Sequence, residues 1–261
     1  VGESFFVPLG DGRWQATGHT TGPWDPRAQH GGPPSALLGR AIEHCKPRDD
    51  MMIGRLTCEI LGAVPVGELE VRARVIRPGR SVELVEAVAH AGGRDVASAR
   101  AWRVLRAASP SVPENPVPPP DLPAQSMQRA PRGWVDGYLS AVEWRAVKGT
   151  FGAPGPATVW ARLRYPLVPD EETSPLQRVL AVADSGNGLS SQLDISQWQF
   201  INPELTVHLH REAASEWICM DAWTTISAGG AGLARSELSD LAGPIGTGAQ
   251  SLLISRRTAA S

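Results

Sequence analysis

VIRPGRSVELVEAVAHAGGRDVASARAW, residues 75 to 102, falls on TISAGGAGLARSELSDLAGPIGTGAQSL, residues 225 to 252, when the chain is slid by 150 positions without a gap. In each copy a strand reaches a Gly-containing turn, a second strand runs to a polar or Gly-rich turn, and a third follows. Identity between the copies is low, and the shared phase of the turns carries the repeat. Between them, residues 107 to 131 (AASPSVPENPVPPPDLPAQSMQRAP) hold eight of the 23 prolines and no hydrophobic periodicity. Such a segment is an extended, semi-rigid connector. It divides the chain into residues 1–106 and 132–261.

Each half also offers one helix upstream of these strands: PPSALLGRAIEHC (33–45) and about PLQRVLAVAD (175–184). Pro33 and Pro34 suit a first helical turn, and Gly31 and Gly32 leave the preceding backbone free to bend. In the second helix Leu176, Val179, Leu180 and Ala183 make a core-facing stripe. One helix and about five strands per half, buried as an antiparallel sheet with the helix on its concave face, is an α+β solution.

Composition narrows the function classes. A 261-residue chain with 42% apolar and 20% charged residues is an ordinary globular sequence. Its net charge of -2 exerts no pull toward nucleic acid or an anionic membrane. No apolar run is long enough to span a bilayer. Cys45, Cys58 and Cys219 are odd in number, far apart and form no CxxC pair, as expected of reduced thiols in a soluble, cytoplasmic protein. GxSxG, Walker A and a complete GxGxxG are absent, which removes serine α/β-hydrolases and nucleotide-dependent enzymes as leading classes.

Three polar residues stand where a core is expected. Asp184 edges the apolar stripe of VLAVADSGNG, and a carboxylate there needs donors or a chemical task. Gln250 shares parity with Leu252 and Ile254. Thr225 is matched by Val75, in phase with Leu69, Val71 and Ala73, although its own strand is ambiguous because Trp217, Cys219, Asp221 and Trp223 share its parity. Taken singly, Asp184 is as well explained by a helix-end turn, Gln250 by a satisfied core amide and Thr225 by an ordinary strand threonine.

The order and spacing of HGGPPSALLGRA (30–41), RPGRS (77–81), LAVADSGNG (180–188), WQFINPELTVHLHR (198–211), TTISAGGAG (224–232) and GAQSLLI (248–254) resemble the type II acyl-CoA thioesterases. That resemblance implies two tandem hotdog domains, each an antiparallel sheet wrapped on a central helix: 1–106, then the 107–131 linker, then 132–261. It also implies hydrolysis of an acyl-CoA to free acid and CoA by a water held between an Asp, a Thr and a Gln, here Asp184, Thr225 and Gln250. The first-half positions matched to the Thr and Gln are Val75 and Arg100, so one hydrolytic site per chain is expected. The backbone of Gly31 and Gly32 is expected to bind substrate as oxyanion donors. A thioester's thiol leaves without much acid assistance, so neither metal nor cofactor is required. Further pairing into a homo-oligomer is expected of hotdog units.

A non-catalytic acyl-CoA or lipid binder on the same scaffold is the alternative, since fold does not fix function. A hotdog hydratase is a third option, without a paired Asp and His to support it. His208 and His210 share a strand face but have no third ligand nearby. His30 reads equally as a substrate contact or a turn residue, and the tryptophans as an acyl-channel lining or as core.

Overall fold

The structure, a computed structural model, describes residues 3–23, 25–109, 117–127, 136–194 and 196–257. Parts of the expected connector, 110–116 and 128–131, and the start of the second half, 132–135, lie outside the described residues. The first half runs β1 (Phe6–Gly10), β2 (Arg13–Ala16), α1 (Gly32–His44), β3 (Met51–Ile60), β4 (Glu68–Arg77), β5 (Val82–Ala91) and β6 (Arg94–Leu105). The second runs α2 (Tyr138–Ala141), β7 (Val142–Lys148), β8 (Ala157–Leu163), α3 (Pro175–Ala183), α4 (Gly186–Leu189), β9 (Trp198–Ile201), β10 (Glu204–Leu209), β11 (Ile218–Ile226), β12 (Ala231–Asp240) and β13 (Gly243–Arg256).

All paired strands form one antiparallel sheet in the order β1-β2-β4-β5-β6-β3-β10-β13-β12-β11-β8-β7, with β9 added to β13. Read outward from the central β3–β10 pair, the two halves have the same strand order, and each places its long helix between its second and third principal strands. The sequence pattern found the long helices and long strands. It did not locate the edge strands β1 and β7 or their neighbours β2 and β8, which are too short or too uniformly buried to show a period.

At the junction Thr57 pairs with Thr206, and their hydroxyls meet at 3.1 Å. Leu56 and Cys58 on β3 and Leu205 and Val207 on β10 all turn inward. The inward positions of the two copies are therefore related by an odd offset, not by 150. Because side chains alternate along a strand, that one-residue slip exchanges the faces. The inward equivalent of Val75 is Thr224, and that of Gln250 is the buried Ala101 rather than the exposed Arg100.

α1 lies against β4, β5 and β6, and α3 against β8, β10 and β11. The helices also pack on each other, and glycines set how closely. A Cβ at Gly39 would stand 2.5 Å from Leu180 Cδ1, and one at Gly32 would stand 2.1 Å from the Ala181 carbonyl oxygen. α3 begins on a capping box in which Ser174 Oγ accepts from Gln177 N (3.2 Å) while Gln177 Oε1 accepts from Ser174 N (3.3 Å).

Residues 107–109 and 117–127 belong to no strand. The latter segment covers the outer face of the second half: Leu122 packs on Trp160, Trp217 and Cys219, and Trp160 Nε1 donates to Pro120 O (3.2 Å). Beneath it Glu143 accepts from Arg162, Arg145 and Ser126. Burial alone would raise this carboxyl, but those donors outweigh it and hold its pKa at about 2.

Two outcomes follow from this packing. Gly39→Ala should destabilise the protein by about 1–3 kcal/mol, and in Gly39→Ala/Leu180→Ala the loss should be smaller than the sum of the single changes, read from denaturant unfolding. Because the Glu143 pKa is lowered on folding from 4.5, its contribution is present above that value and drains away as pH falls toward 2. Glu143→Gln should flatten the fall of Tm with pH across that window.

Candidate active site

Asp184 caps the C-terminal end of α3 and is 6% exposed. Its Oδ1 accepts from Asn202 Nδ2 (2.7 Å) and from Gln250 Nε2 (3.0 Å). Gln250, 2% exposed on β13, spends its second amide proton on the Asp184 carbonyl oxygen (3.0 Å), and its Oε1 accepts from Asn187 N (3.0 Å) in α4. The amide thus aims the carboxylate itself, and its neighbours Leu252 and Ile254 are buried on the same face as expected.

Oδ2 of Asp184 accepts no amide among the described residues. It faces the first half: a Cβ on Gly31 would lie 2.7 Å from it, and His30 Nδ1 is 3.3 Å away. That Nδ1 accepts from Gly32 N (3.1 Å). Burial pushes the His30 imidazole below its usual pKa against the opposing pull of the Asp184 charge, so the ring is neutral at pH 7 and the contact is not an ion pair. The ring stacks on Tyr138 at 3.9 Å between centroids and 9° between planes. Tyr138 O–H in turn sits 2.8 Å from Ala181 O and 2.9 Å from Ser185 Oγ, and burial raises this phenol well above its ordinary pKa.

These groups open on a cavity of about 460 Å³ lined from both halves, with Gly31, His30 and Val64 on one side and Asp184, Asn202 and Phe200 on the other. Phe151 and Leu139 add apolar surface. No tryptophan lines it among the described residues, so the channel role considered for the tryptophans is not seen there. The mix of apolar wall and a few convergent polar groups suits a ligand with a greasy portion and one reactive polar centre.

The expectation for Thr225 is corrected. Its side chain is on the exposed outer face of β11, while Thr224 is 6% exposed and turns inward. Trp217 and Cys219 share the parity of Thr225 and are buried, but beneath residues 117–127 on the outside of the sheet. That second covered face gave the strand its misleading parity. Thr224 Oγ1 lies 2.8 Å from Ser190 Oγ, which donates to Gly186 O (2.8 Å). Having one proton each, Ser190 spends its own on that carbonyl and Thr224 donates to Ser190. Thr224 therefore ties α4, and with it the Asn187 N–H on Gln250, to β11.

Of the glycines expected to donate to substrate, Gly32 has its N–H engaged by His30 Nδ1, whereas the Gly31 N–H has no protein partner among the described residues. Asn202 and Asn187 were given no role from sequence; the Asn-Pro pair in FINPEL, a turn signal beside a strand, was the available cue. His208 and His210 are both exposed, and no cluster of three or more metal-ligating residues occurs among the described residues. Cys45, Cys58 and Cys219 are free thiols, and burial pushes Cys58 and Cys219 up to about 12, where they are inert as nucleophiles.

Residues 20–104 match the acyl-CoA thioesterase N-terminal domain, and residues 113–254 match the acyl-CoA thioesterase C-terminal domain. The chain belongs to the acyl-CoA thioesterase family. It is a thioesterase in the enzymatic sense, with acyl-CoA as the substrate class its family implies. No curated protein matches its sequence. Among solved structures it is similar to a conserved protein of unknown function with hot dog fold from Alicyclobacillus acidocaldarius, at 15% identity and a TM-score of 0.73 over 97% of this chain and 96% of that one. It is likewise similar to an acyl-CoA thioesterase II, TesB2, from Mycobacterium marinum, at 15% identity and a TM-score of 0.64 over 98% and 96%. At such identities these likenesses establish the hotdog fold. No helix among the described residues is long and apolar enough to cross a membrane.

Removing the hydroxyl by Thr224→Val should cost about 1 kcal/mol of stability and lower turnover severalfold, because α4 loosens. Thr225→Val should stay within about 0.5 kcal/mol of the parent with unchanged turnover, as read by thermal melts and thiol release.

Proposed function

We propose that this thioesterase hydrolyses acyl-CoA with a water activated by Asp184, and that it does so at one site per chain. The observation that carries this reading is the asymmetry of the carboxylate: both amide donors fall on Oδ1, leaving Oδ2 as the proton acceptor on the cavity side. A water on Oδ2 gives its proton to Asp184 while its oxygen bonds to the acyl carbon, and the carbonyl pair moves onto oxygen. Collapse of that intermediate breaks the C–S bond, and the thiolate leaves with the proton returned from Asp184. Gln250 and Asn202 hold the acid, Thr224 braces α4 behind Gln250, and Gly31 gives the carboxylate room.

The two halves act as tandem hotdog units, each sheet curled round its helix, with 1–106 and 132–261 as domains and 107–131 as the linker. Their roles differ. Where the second half has Thr224 and Gln250, the first has Val75 and Ala101. At the other end of the helix pair Glu43 accepts from Ser174 Oγ (2.8 Å) and Gln177 Nε2 (2.8 Å), and Arg103 donates to Cys45 O and Ile42 O and pairs with Glu83. Those groups are consumed in closing the ends of α1 and α3, which leaves that position without a free base. A cytoplasmic setting and a homo-oligomer remain part of the reading.

The test is thiol release from a panel of acyl-CoAs. Asp184→Asn keeps the Oδ1 acceptor and the side-chain shape, so its melting temperature and acyl-CoA binding should match the parent while kcat falls by about 10³-fold. Full activity in Asp184→Asn would remove that residue from the chemistry. Parent protein that binds acyl-CoA but releases no thiol would point to the non-catalytic binder instead.

A further inference from the structure

The oxyanion that forms when water attacks a thioester needs hydrogen-bond donors already in place. The N–H of Gly32, the natural candidate at the start of α1, is given to His30 Nδ1 at 3.1 Å. That bond has a second consequence. A neutral imidazole carries one proton, and with Nδ1 acting as acceptor the proton resides on Nε2. Nε2 has no protein partner among the described residues, and the ring lines the cavity that holds Asp184. Its plane is fixed by the stack on Tyr138, whose hydroxyl is anchored to Ala181 on the last turn of α3 and to Ser185 just beyond it.

We propose that the Nε2–H of His30 donates a hydrogen bond to the carbonyl oxygen of the bound thioester and to the oxyanion it becomes, making a first-half residue part of the second-half active site. The proposal rests on the hydrolytic reading above and adds a catalytic residue to it. His30 keeps its proton throughout: water supplies the proton that reaches Asp184, and the departing sulfur receives it, so the imidazole acts as a neutral electrophile. Its placement fits. Nδ1 is 3.3 Å from Oδ2, and His30 lines the same cavity as Asp184, so the ring stands beside the base. Charge on the ring is disfavoured by burial and by the positive end of α1, which keeps a donor rather than a second charge at the carbonyl. The N–H of Gly31, which has no protein partner among the described residues, supplies the companion donor.

Thiol release by the parent, His30→Phe and His30→Gln, run with thermal melts, tests this. His30→Phe retains a ring on Tyr138 but no donor, and its kcat should fall by about 10²-fold with KM changed less than about threefold. His30→Gln places an amide N–H near the former Nε2 and should recover about tenfold of that loss. A His30→Phe protein with kcat near the parent value, a loss confined to KM, or equal losses in the two variants would overturn the proposal. If His30→Phe does not fold, the ¹⁵N shifts of the parent imidazole decide: a protonated Nε2 with a bare Nδ1 is expected, and the reverse tautomer overturns it. A parent that releases no thiol overturns the hydrolytic reading itself, an outcome distinct from an active parent indifferent to His30.

Discussion

The contact on which the site depends is made by backbone against backbone. The start of α1 meets the last turn of α3 so closely that a Cβ on Gly32 would overlap the Ala181 carbonyl, and one on Gly31 would overlap the Asp184 carboxylate. A side chain at Gly32 would push the helices apart, and one at Gly31 would displace the Asp184 carboxylate. With both glycines present, a histidine from one half and an acid from the other share one cavity, and Tyr138 fixes the distance by stacking on His30 while bonding to Ala181 and Ser185. The proposed active site is therefore a property of the joint between the halves, and neither half holds all of its residues.

Burying a carboxylate at this joint is costly unless its lone pairs find donors. The chain meets half of that need. Two side-chain amides satisfy Oδ1, and Gln250 is itself held by Asn187 N–H, so the acid is rigid on one side. Among the described residues the other oxygen accepts no side-chain amide; it faces Gly31 and stands 3.3 Å from His30 Nδ1. A group left partly unsatisfied in an otherwise closed environment departs from the rules that govern the rest of the core, and such departures concentrate where chemistry is done.

The first and second halves share a strand order but have diverged at equivalent points. The second half carries Thr224 and Gln250 where the first has Val75 and Ala101, so apolar packing replaces the polar brace. At the opposite end of the helix pair the acid and the arginine go to helix ends: Glu43 to the capping box of α3, and Arg103 to the last carbonyls of α1. Burial raises the Glu43 carboxyl despite the bonds from Gln177 and Ser174, which marks it as a tightly enclosed structural group. The two ends of the helix pair thus differ: at one the polar residues close helix ends, and at the other they surround Asp184.

The sequence by itself determined the architecture: two copies of a helix with antiparallel strands, a proline connector, and polar groups at Asp184 and Gln250 on core faces. Those features are local, written in turn residues, helix caps and period, and physical chemistry acts on them residue by residue. It failed at Thr225, the residue the resemblance assigned: an ungapped offset of 150 gave it the inward partner Val75, and the parity it shares with Trp217 and Cys219 left its own strand ambiguous. A strand covered on both faces has no single inward parity, and the cover here, residues 117–127, comes from far away in the chain. Only the tertiary structure decided that Thr224 turns inward, that Gln250 holds the acid, and that Asn202 and His30 stand beside Asp184. The reason is that each depends on how closely two helices approach, a distance set by the whole sheet and by the side chain that Gly31 and Gly32 do not have.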